Sequence, residues 1–173
     1  MRIIVIGGVA AGMSAAARAR RNIKDAEIVV FEQGDVVSFG ACGLPYFAGG
    51  WFDDPSEMIA RTPEKFRDSG IDVRLHQRVI GLHYAARKIR VKDLDTGSET
   101  DESFDQLLIA TGATPVLPPF PGMNLKNIMT LTKLKDGEIL KSALKDPAVK
   151  DIVVVEAGFI GIETVEACLH MGK

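Results

Sequence analysis

Cys42 stands in the stretch Val-Ser-Phe-Gly-Ala-Cys-Gly-Leu-Pro-Tyr-Phe, residues 37–47. Gly40, Ala41 and Gly43 leave little bulk over its thiol, and Pro45 suits the first turn of a helix beginning near Cys42. A helix N-terminus favours anions, so a thiol placed there is suited to nucleophilic or redox chemistry as a thiolate. Cys168, the other cysteine, falls in a helical stretch and reads as packing.

Two glycine turns carry a second kind of chemistry. A Gly-x-Gly-x-x-Gly turn makes a tight bend, lets backbone approach a pyrophosphate and allows a helix to pack close to its strand. In "GGVAAG" Gly7 and Gly12 hold the first and third positions. Val9 replaces the second glycine, Gly8 relieves crowding, and Ala10 and Ala11 complete the turn. Glu32 follows Gly7 by 25 residues, at the end of the next strand, where a carboxylate can accept hydrogen bonds from ribose hydroxyls. In "VVVEAGFIGIE" Gly158 and Gly161 hold the second and third positions, but Glu156 occupies the first. A carboxylate at that turn would face a dinucleotide pyrophosphate and repel it.

The elements that position these groups follow from the pattern of apolar residues. "RIIVI" (2–6) and "AEIVVFE" read as buried parallel strands flanking the alanine-rich helix "MSAAARARR". Residues 55–69 read as a helix, with Thr62 as N-cap, Pro63 at its first position and Glu64 in its first turn. Strands are expected at 71–75, 78–84, 88–94 and 99–104, the last two joined by Asp-Thr-Gly-Ser in an antiparallel hairpin or meander. "DQLLIATGA" reads as a buried strand entering a glycine turn, residues 114–122 as an irregular proline-rich connection and 132–145 as a helix. The final 23 residues, from Asp151, repeat the strand–glycine turn–helix pattern without the second strand such a unit needs, which points to a longer protein.

A length of 173 residues suits one domain and the start of another. With a net charge of −2, nothing in the composition calls for nucleic acid as a partner. Two cysteines are too few for a disulfide scaffold and suit a reducing cytoplasm. Residues 3–17 imitate the apolar region of a secretory signal, but Gly7, Gly8 and Gly12 interrupt them and the arginines follow instead of preceding. No segment has the length of a membrane span. His76, His83 and His170 lack metal-ligand spacing.

"GGVAAGMSAAARARR", "VVFE", "SFGACGLPYF", "RTPEKF", "FDQLLIATGA" and "VVVEAGFIGIE" occur in that order. In this order they resemble the single-cysteine branch of the flavin-dependent pyridine nucleotide–disulfide oxidoreductases, most closely the CoA-disulfide reductases. The resemblance implies an α/β fold: a Rossmann-like FAD-binding domain over 1–112, built of a parallel sheet with helices plus an antiparallel β-meander. A connecting segment over 113–149 would lead to the start of a second Rossmann-like, NAD(P)-binding domain over 150–173. FAD would contact the first glycine turn, Glu32, Val79, Ala110, Thr111 and Gly112; NADH or NADPH would use Gly158 and Gly161. The resemblance also implies a cytoplasmic homodimer acting on a small-molecule substrate, with no membrane or nucleic-acid partner.

For Cys42 the resemblance implies catalysis. Dithiol relatives carry a Cys-x4-Cys pair, and Phe47 stands where the second cysteine would be. A single redox thiol must form a mixed disulfide with a substrate thiol such as coenzyme A, or a sulfenic acid. Reduced flavin would reduce that sulfur, and NAD(P)H would reduce the flavin. CoA-disulfide, a persulfide or a polysulfide is the expected acceptor. A water-forming NADH oxidase or a peroxidase working through sulfenate, and a catalytically inert nucleotide-binding fragment, are the alternatives. By the same resemblance Ser14, Arg18, Arg21 and Ser38 match positions that bind coenzyme A. Arg18, Arg20 and Arg21 can equally form a solvated face at a helix end, so both readings stand open. Ala41 departs from an asparagine found in some members, and Tyr46 is expected to pack near the flavin.

Overall fold

The computed structural model describes all residues, Met1–Lys173. In chain order its elements begin with β1 (Arg2–Ile6), α1 (Ala10–Asn22), β2 (Glu27–Phe31), α2 (Leu44–Ala48), α3 (Pro63–Asp68) and β3 (Ile71–Arg74). They continue with β4 (Gln77–His83), β5 (Lys88–Asp93), β6 (Glu99–Ser103), β7 (Gln106–Ile109), α4 (Leu134–Lys145) and α5 (Phe159–His170). The chain divides into two compact units, 1–39 with 59–112 and 40–58 with 113–173.

In the first unit β3, β2, β1 and β7 lie side by side in that order, all parallel. The apolar runs of β1 and β2 are continuous because both faces of this sheet are covered. Val5, Ile28 and Val30 turn to one face and pack with Met13 and Ala16 of α1 and Phe66 of α3. Ile4, Val29 and Phe31 turn to the other and pack with Ile89, Val91 and Phe104 of the antiparallel meander β4-β5-β6. Glu102 bonds Arg2 Nη2 at 2.6 Å and Arg74 Nη1 at 2.7 Å, so one carboxylate ties β6 to two parallel strands. The expected turn between β5 and β6 forms around Asp93, whose Oδ1 accepts the N–H groups of Asp95 and Thr96 at 2.9 and 2.7 Å.

Three expectations are corrected. The helix read over 55–69 is a 3-10 turn at Pro55–Met58 followed by α3. Pro63 has no N–H to return to residue 59, and Ile59 instead makes a bridge with Phe39. Thr62, Pro63 and Glu64 do begin α3 as expected, with Thr62 accepting from the N–H of Lys65 at 3.5 Å. The strand β7 is half-buried, with Ile109 59% exposed, because it lies at the edge of its sheet. Residues 151–156 form no strand, and Val153 and Val155 are exposed. A strand needs a partner for its N–H and C=O groups, and the second unit contains none.

The second unit is helical. Leu44 and Phe47 of α2 lie against Gly137 of α4, where an added Cβ would come within 2.6 Å of Leu44 Cδ2. Ala48, Leu140, Leu144 and Cys168 form its core. Lys141 is buried, lies over the Phe47 ring at 4.2 Å, donates to the Phe52 carbonyl at 2.6 Å and pairs with Asp53 at 2.8 Å. Trp51 stacks on His170 at 4.2 Å. No helix of the chain is long and apolar enough to cross a membrane.

Candidate active site

The first glycine turn is dictated by backbone crowding. Gly7 adopts φ +103°, and a Cβ there would lie 2.2 Å from the carbonyl oxygen of Ala110. At Gly12 a Cβ would lie 1.8 Å from the carbonyl oxygen of Gly7, so only glycine lets α1 approach β1 this closely. A Cβ at Gly8 would meet Val37 Cγ1 at 2.7 Å, which gives that glycine its own reason. Val9 is tolerated because its side chain points outward, 38% exposed, from the N-cap of α1. No side chain caps α1, and its first turn holds no acid. Ala10 and Ala11 are exposed in that turn.

Glu32 is buried beside the turn and latches it. Its Oε2 accepts the N–H of Gly8 at 2.6 Å, and its Oε1 accepts the N–H of Gly34 at 2.7 Å. Sequence reasoning assigned this carboxylate to a ribose and missed its two backbone partners; no local signal reveals them, since Gly8 lies 24 residues away. Each oxygen keeps a lone pair for a further donor. Ser38 holds φ +53°, unusual for a residue with a side chain, while its N–H donates to the Gly8 carbonyl at 2.9 Å. The turn, Glu32, Ser38 and the segment Ala110–Gly112 thus belong to one backbone assembly, with Ala110 N–H on the Ile6 carbonyl at 2.8 Å. Gly112, at φ +70°, faces open space. Val79 is partly buried in β4 and packs with the Ile89 and Val91 cluster.

The three arginines of α1 separate. Arg20 is a structural clamp: it donates to the carbonyls of Lys24 at 2.6 Å, Gly70 at 2.8 Å and Ala26. Ser14, Arg18 and Arg21 recur at helical spacing on the exposed face, and neither Arg18 nor Arg21 enters a salt bridge. His76 is held by Asp95 and Asp35, at 2.9 and 2.8 Å. Hydrogen bonding to Asp95, its charge and then Asp35 push the imidazole pKa up.

In the second unit Cys42 is exposed, in the middle of a 3-10 turn at Ala41–Gly43. A helix does begin near the cysteine as expected: the 3-10 turn leads into α2 at Leu44, which has Pro45 in its first turn and only five residues. So short a helix carries little dipole, and the accessibility of the sulfur is its distinguishing property. Gly43 lies close to Met58, whose Cγ would stand 2.9 Å from a Cβ added there. Phe47, at the position of a resolving cysteine, is buried. Cys168 is buried too, and burial pushes its thiol pKa up. Tyr46 is exposed and meets Trp51 edge-on at 5.5 Å.

The second glycine turn repeats the close approach of the first, with Glu156, Ala157 and Gly158 standing where the first has Gly7, Gly8 and Val9. Gly161 lies close to the carbonyl of residue 156, with a Cβ 2.7 Å from that oxygen, as Gly12 lies close to Gly7. Glu156 itself adopts φ +145°, a conformation suited to glycine. Its Oε1 accepts the N–H of Gly161 at 3.2 Å and lies 3.1 Å from where a Cβ of Gly158 would stand.

The model of the family described as pyridine nucleotide-disulphide oxidoreductase matches residues 1–173. The chain is 32% identical over 173 residues to an NADH oxidase of Enterococcus faecalis, covering 100% of this chain and 38% of that protein. It is 34% identical to an NAD(P)H coenzyme A polysulfide/persulfide reductase of Pyrococcus horikoshii, covering 99% of this chain and again 38% of the relative. The crystal structure of reduced CoADR-RHD from Bacillus anthracis superposes with a TM-score of 0.95 at 33% identity, over 99% of this chain and 31% of that one. The chain therefore spans well under half the length of the proteins it matches. A match along the whole sequence, joined to a shared parallel-sheet architecture, places this chain in the pyridine nucleotide–disulphide oxidoreductase family.

Proposed function

We propose that the full-length protein is an FAD-dependent reductase of CoA-disulfide, or of a related persulfide or polysulfide, with Cys42 as its reacting thiol. The observation that carries this reading is the division of labour on α1. Arg20 is fixed on three carbonyls, whereas Arg18 and Arg21 stand free beside Ser14 on the exposed face. Two unpaired guanidinium groups on one helix face suit the phosphates of coenzyme A.

The first glycine turn fits FAD. Gly7 and Gly12 leave the backbone bare, and α1 presents uncapped N–H groups to an anion. Gly7, Gly8, Val9, Ala10, Ala11 and Gly12 would hold the pyrophosphate, with Glu32 beside the ribose. When bound, FAD supplies two-electron redox chemistry. The names of the relatives carry NADH and NAD(P)H, and the second glycine turn is the corresponding place here. Glu156 does not fit a pyrophosphate at that turn.

Cys42 acts as nucleophile on the substrate. Its thiolate attacks one sulfur of CoA-disulfide, forming a Cys42–CoA disulfide and releasing the other CoA as a thiolate. Two electrons then cleave the mixed disulfide, which returns the Cys42 thiolate and releases the second CoA thiolate. Solvent protonates both products. The exposed sulfur and the small residues around it leave room for a substrate as bulky as coenzyme A.

Stopped-flow absorbance of the full-length protein, reduced with dithionite and mixed with CoA-disulfide, tests this. The flavin band should return in the parent and stay bleached in Cys42→Ser with FAD still bound. Return at the parental rate in the variant removes Cys42 from the mechanism.

A further inference from the structure

We infer that Glu156 is a built-in competitor for the pyridine nucleotide, its carboxylate sitting in the second glycine turn where the pyrophosphate would lie. The inference rests on the reading of the second turn as the nicotinamide dinucleotide site.

The comparison of the two turns carries it. Each runs into a helix of similar length, α1 with 13 residues and α5 with 12, and neither helix has a side-chain N-cap or an acid in its first turn. Each also brings the third glycine hard against the carbonyl of the first position. At the first turn that position is Gly7, which has no side chain to fold over the start of α1, and the Glu32 carboxylate that reaches the bend comes from the end of β2 and takes the Gly8 N–H instead. At the second, the Glu156 carboxylate folds over the start of α5, Oε1 taking the Gly161 N–H at 3.2 Å. Both carboxylate oxygens lie 3.1 and 3.5 Å from the place a Gly158 side chain would fill. That is the space a glycine at the second position keeps open for close approach of a pyrophosphate. The seat is therefore filled by an anion of the chain itself, and a dinucleotide must expel a like charge to bind.

Glu156 adopts this role against its backbone preference, since φ +145° is a glycine conformation. Removing the side chain therefore frees the seat and restores the residue the turn geometry favours.

The test uses the full-length protein with FAD bound, comparing the parent with Glu156→Gly and the near-isosteric Glu156→Gln. NADH affinity is read from quenching of protein fluorescence, and flavin content is measured on the same samples. Glu156→Gly should bind NADH on the order of tenfold more tightly or better, with Glu156→Gln between it and the parent, because one removes the group and the other only its charge. Unchanged affinity in both variants, with the parent binding NADH, overturns the inference and leaves the reductase reading standing. A gain in Glu156→Gly without one in Glu156→Gln overturns the competing charge. Failure of all three FAD-bound proteins to bind NADH overturns both the inference and the nicotinamide reading of this turn.

Discussion

Glu32 Oε2 accepts the buried N–H of Gly8 at 2.6 Å, across 24 residues of sequence. The carboxylate at the end of β2 thereby holds the glycine turn that leaves β1, and its other oxygen holds Gly34. Glu32→Ala should lower stability before any flavin is considered, by about 1.5–3 kcal/mol for a lost hydrogen bond to a charged group. Urea unfolding of the flavin-free chain reads this, and flavin content of the full-length variant should fall with it. An unchanged midpoint would show that the latch contributes nothing.

Arg20 and Arg21 are neighbours with opposite expected phenotypes. Arg20→Ala should destabilise by about 1–3 kcal/mol through orphaned carbonyls, because Arg20 serves Lys24, Ala26 and Gly70. Arg21→Ala should leave the unfolding midpoint within about 0.5 kcal/mol, as for an exposed site. In the full-length protein it should instead raise KM for CoA-disulfide at constant flavin content. Equal losses of stability would return Arg21 to a structural role.

Acid should release the Glu102 link between sheet and meander. Burial works against this carboxylate, but hydrogen bonds from Arg2 and Arg74, and then their charges, hold its pKa below the usual value. Its folded pKa lies below the unfolded one, so its contribution is complete above the unfolded pKa and disappears as pH falls through the folded pKa. Glu102→Gln should therefore be less stable than the parent at neutral pH, and the gap should close in acid. Urea midpoints measured across that range check it, a constant gap being the contrary result.

Glu156→Gly and Glu156→Ala separate backbone strain from side-chain chemistry. Both remove the carboxylate, but alanine keeps a Cβ at φ +145°. Glycine should be the more stable variant by about 1–2 kcal/mol, the scale of strain at such a position. Thermal unfolding of the two variants is the comparison, and equal midpoints would mean the backbone there is unstrained.

What could be read in the sequence was local. Gly7 and Gly12 announce their turn because the reason for each glycine lies within a few residues or in the adjoining strand. Thr62-Pro63-Glu64 and the Asp93 turn likewise carry their hydrogen-bonding partners beside them. The latch from Glu32 to Gly8 and the clamp from Arg20 to Gly70 depend on residues brought together only by the sheet. The break before α3 was visible in Pro63 but lost within an otherwise helical pattern. The run Asp151–Glu156 has strand composition, yet no strand of the second unit can pair with it.

The most direct test of the central claim is thiol exchange at Cys42. The reduced chain is incubated with CoA-disulfide, the released CoA thiol is counted, and the peptides are mapped by mass spectrometry. The account predicts one CoA released per chain, a CoA-sized adduct on the peptide containing Cys42 and none on that containing buried Cys168. No adduct at Cys42, an adduct at Cys168 instead, or a single added oxygen on Cys42 without CoA would contradict it.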